Sequence, residues 1–247
     1  MLHPFFASDR PLVFAHRGGS ALAPENTMDA FANGMALGAD GLELDVHASR
    51  DGVVVVHHDR SLDRTTTLRG PIAERTASEL HAVRVPALAD VFREHRTCRI
   101  IVELKVNDAV FAASVVDVIR SAGAAERVCL GSFGYRVLRA VRQIAPEMAT
   151  SAAREEVRWA LYRSKLGWPV RRVGYTGYQI PECAGTTRVV SSRFVRHSHA
   201  AGLGVQVWTV DAVEDAMRLL GWGVDALITD RPDIIVPLVR AGGSLSR

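Results

Sequence analysis

The chain has 247 residues, 48% of them hydrophobic and 23% charged, which is the balance of a globular protein and excludes a fibrous or disordered one. That length accommodates one domain or two and buries roughly 70 to 75% of the unfolded surface, so the core needs neither disulfides nor a structural metal. A net charge of +3 is too small to imply nucleic acid as the main partner.

Cys98, Cys129 and Cys183 form no CxxC pair and read as reduced, buried thiols of a reducing compartment. Among the 30 basic residues only Lys105 and Lys165 are lysines, so each stands out against a background of arginine. The first ten residues, MLHPFFASDR, lack the basic and apolar regions of a secretion signal, and no window of 18 uninterrupted apolar residues follows. The expected location is cytoplasmic.

In chain order, short apolar, β-branched runs begin near Pro11 (PLVFAHR), Asp40 (DGLELDVHAS), Cys98 (CRIIVELKV), Arg127 (RVCLGSF), Met148 (MATSAA), Tyr175 (YTGYQIP), Gly204 (GVQVWTV) and Ala226 (ALITDRP). Helical periodicity follows most of them. After the first run, Asn26 or Thr27 can cap a helix whose apolar face is Met28, Phe31, Ala32 and Met35. After the third, Val110, Phe111, Val115, Val118 and Ile119 repeat the pattern, and after the seventh Val213, Ala216, Met217 and Leu220 do.

Eight strand starts in 247 residues average about 31 residues each, the rhythm of an α/β protein folded as a (β/α)8, or TIM, barrel. One interval, from Asp40 to Cys98, is double length. It contains Asp51-Gly52, a hairpin turn signal, followed by Val53 to His58, a polar loop and a short helix near ALADVFREH. An insertion over about 50–86 therefore follows the second barrel strand. A doubly wound sheet is the rival, but no GxGxxG follows the first strand. With no linker or repeat, residues 1–247 read as a single domain.

Side chains of a barrel strand alternate between the interior and the helix layer. In the second strand Leu42, Leu44 and Val46 belong to the helix side, which points Glu43 and Asp45 inward together. In the third, Ile100, Val102, Leu104 and Val106 face the helices and leave Glu103 and Lys105 inward. Three carboxylates and a lysine in one mouth are costly to bury unless a cation compensates them, and all-oxygen ligands favour Mg²⁺ or Ca²⁺ over zinc. Interior salt bridges without function are the alternative.

His16 and His58 each end a strand segment leading to the same face, where a general acid and base would sit. The other histidines read as structural, and His57 alternates away from His58. Arg17 adds a cation with the fork geometry that suits phosphate. With Lys105 and a metal, such a mouth suits an anionic substrate, phosphate best.

These residues resemble the glycerophosphodiester phosphodiesterases. The motifs are His16-Arg17-Gly18, Pro24-Glu25-Asn26-Thr27, Glu43-Leu44-Asp45, His58-Asp59, Arg64-Thr65-Thr66, Glu103-Leu104-Lys105, Val207-Trp208-Thr209-Val210 and Thr229-Asp230-Arg231-Pro232. The resemblance covers nearly the whole chain and implies a TIM barrel that hydrolyses glycerophosphodiesters to an alcohol and glycerol 3-phosphate. It also implies that Glu43, Asp45 and Glu103 bind one divalent ion, usually Ca²⁺ or Mg²⁺. His16 and His58 would then be the acid and base, Arg17 and Lys105 would contact phosphate, and Trp208 would pack on the glycerol or alcohol.

Asp211 stands where the family often has Asn, and it reads equally as a helix cap. The segment from about Gly134 to Gly174 matches only loosely, so substrate choice is expected there. Within it, REEVRWALYRSKLGWPVRR places Arg154, Arg158, Arg163, Lys165, Arg171 and Arg172 around Trp159, Tyr162, Leu166 and Trp168. A basic helix with an aromatic stripe can lie weakly on an anionic membrane through 154–172, which would admit a lysophospholipid substrate. The alternative is the fifth outer helix of the barrel, with its aromatics packed on the sheet. Rival activities are a lysophospholipase D or a cyclising phospholipase D, and more remotely a silent barrel that binds phosphodiesters or membranes. Nothing in the sequence forces a dimer.

Overall fold

Alternating apolar residues give the chain strands with one face for helices and one for a barrel interior. In the computed structural model, which describes residues 2–242, the strands are β1 (Leu12–His16), β2 (Gly41–Ala48), β3 (Val54–Val56), β4 (Arg99–Leu104), β5 (Val128–Gly131), β6 (Ala149–Thr150), β7 (Gly177–Pro181), β8 (Cys183–Ala184), β9 (Thr187–Arg188), β10 (Gly204–Trp208) and β11 (Ala226–Thr229). The helices are α1 (Met28–Ala36), α2 (Ala77–His81), α3 (Leu88–Glu94), α4 (Ala109–Ser121), α5 (Tyr135–Ile144), α6 (Arg154–Lys165), α7 (Ser192–Ala200), α8 (Val213–Gly221) and α9 (Pro232–Gly242).

Eight strands run parallel in the order β6-β5-β4-β2-β1-β11-β10-β7, and each of the eight apolar runs supplies one of them. A bridge between Ser151 and Gly177 spans the remaining seam, where Ala152 N donates to Gly177 O at 2.9 Å. The result is the expected barrel, nearly closed. Leu42, Leu44, Val46, Ile100, Val102 and Leu104 pack outward against the helices. Phe14, Ile101, Cys129 and Ile228 fill the interior with Phe5 and Phe6. A Cβ on Gly177 or Gly204, the first residues of β7 and β10, would stand 2.5 or 2.3 Å from the Phe6 ring. The N-terminal PFF turn therefore plugs the barrel end opposite the strand C-termini, a role its sequence does not announce.

The expected insertion is present. β3 pairs antiparallel with β2, and Val55, Leu62, Ile72, Leu80 and Val85 form a small core of its own. That packing fixes the loop that carries His57 to Thr66 beside the barrel mouth.

Helix faces differ from the periodic reading in detail. Thr27, not Asn26, caps α1, its Oγ1 accepting from Ala30 N at 3.2 Å. The buried face of α1 is Ala30, Phe31 and Gly34, while Ala32 is exposed. Val110, in the first turn of α4, and Met217 of α8 also face solvent. The buried stripe of each helix is set by contact with the strand beneath it, and small residues bring the backbones closer than large ones would. Asp211 is not a cap: its Oδ1 accepts from Thr229 Oγ1 at 2.9 Å and from Asp230 N at 2.7 Å, pinning the end of β11. Among the cysteines, Cys129 is buried and Cys98 half-buried, but Cys183 is exposed because β8 lies outside the barrel in a ribbon with β9. No helix among the described residues is long and apolar enough to cross a membrane.

Gly34 gives a test of how closely α1 approaches β1. Alanine is ordinarily the better helix former by about 1 kcal/mol. Here a Cβ would lie 2.8 Å from both Ala15 Cβ and Gly18 O. Overpacking should win, so Gly34→Ala is expected to lower unfolding stability by about 1 to 3 kcal/mol in urea melts. An unchanged or raised midpoint would contradict this account of the α1 packing.

Candidate active site

Strand register assembles the charged cluster. His16 of β1 pairs with Glu43 of β2, and Asp45 of β2 pairs with Glu103 of β4. Because side chains two apart share a face, all of these residues point into the same end of the barrel. Carboxylate oxygens of Glu43, Asp45 and Glu103 lie within 4.8 Å of one another. Lys105 Nζ reaches Asp45 Oδ1 at 2.8 Å and Glu103 Oε1 at 3.0 Å, and Arg17 Nε lies 3.4 Å from Asp45 Oδ2.

The cluster is short of positive charge. Burial, with the neighbouring Asp45 carboxylate, pushes the Glu43 carboxyl up to about 8, and burial also raises Glu103. Asp45 is buried too, but Lys105 and Arg17 hold its carboxyl below the ordinary range. For Lys105, burial favours the neutral amine, yet Asp45 and Glu103 outweigh it and raise the ammonium's pKa. An oxygen-only donor set crowded enough to repel itself could hold a metal ion.

Each of the two histidines meets a carboxylate. His16 Nδ1 lies 2.7 Å from Asp230 Oδ1, which also accepts from Ser20 Oγ at 2.5 Å. Burial favours neutral His16, but the Glu43 charge and the Asp230 hydrogen bond overcome it and raise its pKa. His58 Nδ1 lies 2.6 Å from Asp59 Oδ1. Both rings thus keep Nε2 for other partners, the arrangement that lets an imidazole exchange protons in a fixed orientation.

Arg64 ties the insertion to the first loop. Its Nε donates to Asp59 Oδ2 at 2.7 Å, and its two terminal nitrogens donate to Glu25 at 2.7 Å each. Glu25 Oε1 in turn accepts from Arg17 Nη1 at 3.0 Å. Arg64 bonds hold the Asp59 carboxyl well below the usual range. His57, as alternation predicts, turns away: Nδ1 meets Asp59 O and Nε2 meets Thr65 Oγ1, both at 2.9 Å. Buried His47 follows Asp45 on the inward face, and burial depresses its pKa to about 4, leaving a neutral ring beside His58 O.

Of the eight candidate residues, His16, Arg17, Glu43, His58, Glu103, Lys105 and Trp208 line one cavity of about 920 Å³, and Asp45 lies buried among them. Trp208 packs edge-on against Phe133, ring centroids 6.0 Å apart. Val157 and Leu161 of α6, with Ile180 and Val189, continue the cavity wall away from the charged end. Sequence reasoning assigned no site role to Asp230, Asp59, Glu25 or Arg64, and read Asn26 as a candidate helix cap. The signal lay in the short motifs that contain them. Asn26, buried with φ +58°, donates from Nδ2 to Asp45 Oδ2 at 2.8 Å and accepts from Asp45 N at 3.4 Å.

Residues 16–234 match the model of the glycerophosphoryl diester phosphodiesterase family. The chain is 32% identical to the glycerophosphodiester phosphodiesterase of Caldanaerobacter subterraneus subsp. tengcongensis, over 95% of this chain and all of the relative. A glycerophosphodiester phosphodiesterase structure from Agrobacterium tumefaciens superposes with a TM-score of 0.76 at 26% identity, covering 92% of this chain and 99% of that one. A phosphodiesterase from Oleispira antarctica, solved with the product sn-glycerol-3-phosphate, gives 0.76 at 25% identity, covering 94% and 97%.

Asn26 supports the buried Asp45 carboxylate and occupies left-handed backbone, and two substitutions separate these contributions. Asn26→Gly keeps the backbone and loses the hydrogen bonds, costing about 1.5 to 3 kcal/mol because the acceptor is a buried charge. Asn26→Ala should cost about 1 kcal/mol more, from the left-handed conformation. Urea unfolding of both variants checks this, and wild-type stability in Asn26→Gly would refute it.

Proposed function

The chain belongs to the glycerophosphoryl diester phosphodiesterase family, and from that premise we propose that it hydrolyses glycerophosphodiesters to an alcohol and glycerol 3-phosphate. On this reading, Glu43, Asp45 and Glu103 hold one divalent cation, Ca²⁺ or Mg²⁺, and His16 and His58 are the acid and base. The carrying observation is that two carboxylate-oriented histidines, three crowded carboxylates, Arg17 and Lys105 converge on one cavity. The product held by the Oleispira relative fits the same chemistry.

When bound, the cation would supply charge neutralisation at a non-bridging phosphate oxygen and a glycerol hydroxyl. Arg17 and Lys105 would bind the remaining phosphate oxygens and orient the diester. One histidine would take the proton of the attacking water as its oxygen bonds to phosphorus. The other would donate a proton to the departing alcohol oxygen as its bond to phosphorus breaks. Asp230 and Asp59 would hold the two rings in one tautomer, and Trp208 would cover the glycerol or alcohol portion.

A second reading rests on the apolar wall of Val157, Leu161, Phe133 and Val189. It extends the cavity beyond what a glycerophosphodiester fills and suits the acyl chain of a lysophospholipid. If the glycerol 2-hydroxyl replaced water as attacker, the product would be a cyclic phosphate.

Phosphorus NMR with glycerophosphocholine and lysophosphatidylcholine separates these products. His16→Ala and His58→Ala are each expected to lower kcat by about 10² to 10⁴-fold, and the native enzyme should give a bell-shaped pH profile. Asp230→Asn, which removes the charge facing the His16 ring, should lose kcat with little change in KM, and Asp59→Asn, which also weakens the Arg64 contact, should lose kcat as well. Chelator should abolish turnover, with Ca²⁺ or Mg²⁺ restoring it. Full activity in chelator would refute the metal site, and an unchanged rate in the double His→Ala variant would refute the acid and base pair.

A further inference from the structure

The structure departs from an ordinary outer barrel helix at α6. Its buried residues are small, Ala160 and Ser164, Val157 and Leu161 are half-buried against the core, and the aromatic side chains face solvent. Trp159 and Tyr162 are each 57% exposed, and Trp168 in the following loop is 60% exposed. The first two stack with centroids 6.0 Å apart, and Arg163 lies over Trp159 at 5.8 Å. The aromatics therefore do not pack on the sheet. Trp159, Tyr162 and Leu166 follow one another at three- and four-residue steps, so they form one stripe along the helix. Contiguous exposed apolar surface of this kind marks an interaction site.

We propose that this stripe and the 166–172 loop dock on an anionic phospholipid bilayer. Residues 154–172 contain six basic side chains and two acidic ones. One of the acids, Glu156, is occupied by Arg142, at 2.7 and 2.9 Å. Arg171 and Arg172 are exposed beside Trp168. Cations attract an anionic headgroup layer while indole and phenol rings settle at the headgroup level. A second copy of the chain is a poor occupant, because a two-fold contact would set this cationic patch against itself.

The surface adjoins the cavity, since Arg158, Tyr162 and Lys165 of the same helix line its rim. Docking would hold the mouth at the bilayer. The inference stands on α6 whether or not the catalytic reading holds, because vesicle binding is measured without turnover.

The test is cosedimentation of the full chain with phosphatidylcholine vesicles, with and without about one-third phosphatidylglycerol. Binding is expected on the anionic vesicles, weaker on neutral ones, and falling as salt rises. Trp159→Ala with Trp168→Ala should weaken it at least about tenfold. Arg171→Glu with Arg172→Glu should remove the preference for anionic lipid. Both double variants should keep the native circular dichroism melt and native turnover of glycerophosphocholine. No binding to anionic vesicles, equal binding to both compositions, or binding unaffected by the tryptophan substitutions would overturn the proposal. So would a dimer in sedimentation velocity that the tryptophan substitutions dissociate.

Discussion

The two-residue period of a β-strand, locked by the register of β1, β2 and β4, is the constraint on which the rest depends. It sends Leu42, Leu44 and Val46 into the helix layer and Glu43, Asp45 and His47 into the barrel. A one-residue slip of β2 would exchange the two sets. Carboxylates would then enter the apolar layer, away from the Lys105 and Arg17 cations that meet Asp45 inside. The apolar outer face therefore enforces the arrangement of the charged inner one. Inside, the same proximity that suits a cation costs free energy without one, and Lys105 and Arg17 offset part of that cost.

Much of this was legible in the sequence because it is local. Strand spacing, the doubled interval and the inward direction of Glu43, Asp45, Glu103 and Lys105 all follow from periodicity over a few residues. What escaped depends on contacts between distant segments. Asp230 meets His16 across 214 positions, and Arg64 meets Glu25 across 39. Periodicity also misplaced Ala32, Val110 and Met217, since a hydrophobic residue can face water wherever the neighbouring element does not reach it. Phe5 and Phe6 were invisible as a plug because nothing local says that an N-terminal turn will meet glycines in β7 and β10. Asn26 was hidden for a different reason: its neighbour Thr27 satisfied the capping pattern that would explain either residue.

Helix α6 answers to two environments at once. Val157 and Leu161 face the cavity wall and the core, while Trp159 and Tyr162 face outward. Small buried residues let the helix lie close to the barrel, so bulk is free to collect on the other side. Helix α6 thus also shapes the far end of the cavity. Glu43, Asp45 and Glu103 are held by strands, and the far cavity wall is held in part by a helix.

The chain of contacts from Arg17 through Glu25, Arg64 and Asp59 to His58 makes the β1 loop and the insertion one mechanical unit. Residues within such a unit do not contribute independently. Loss of the Arg64 guanidinium would release Glu25 and Asp59 together, loosening the Arg17 side chain and the His58 imidazole in a single event. Damage at Arg64 and at His58 would therefore sum to less than its parts, because the second lesion falls on a ring the first has already set adrift.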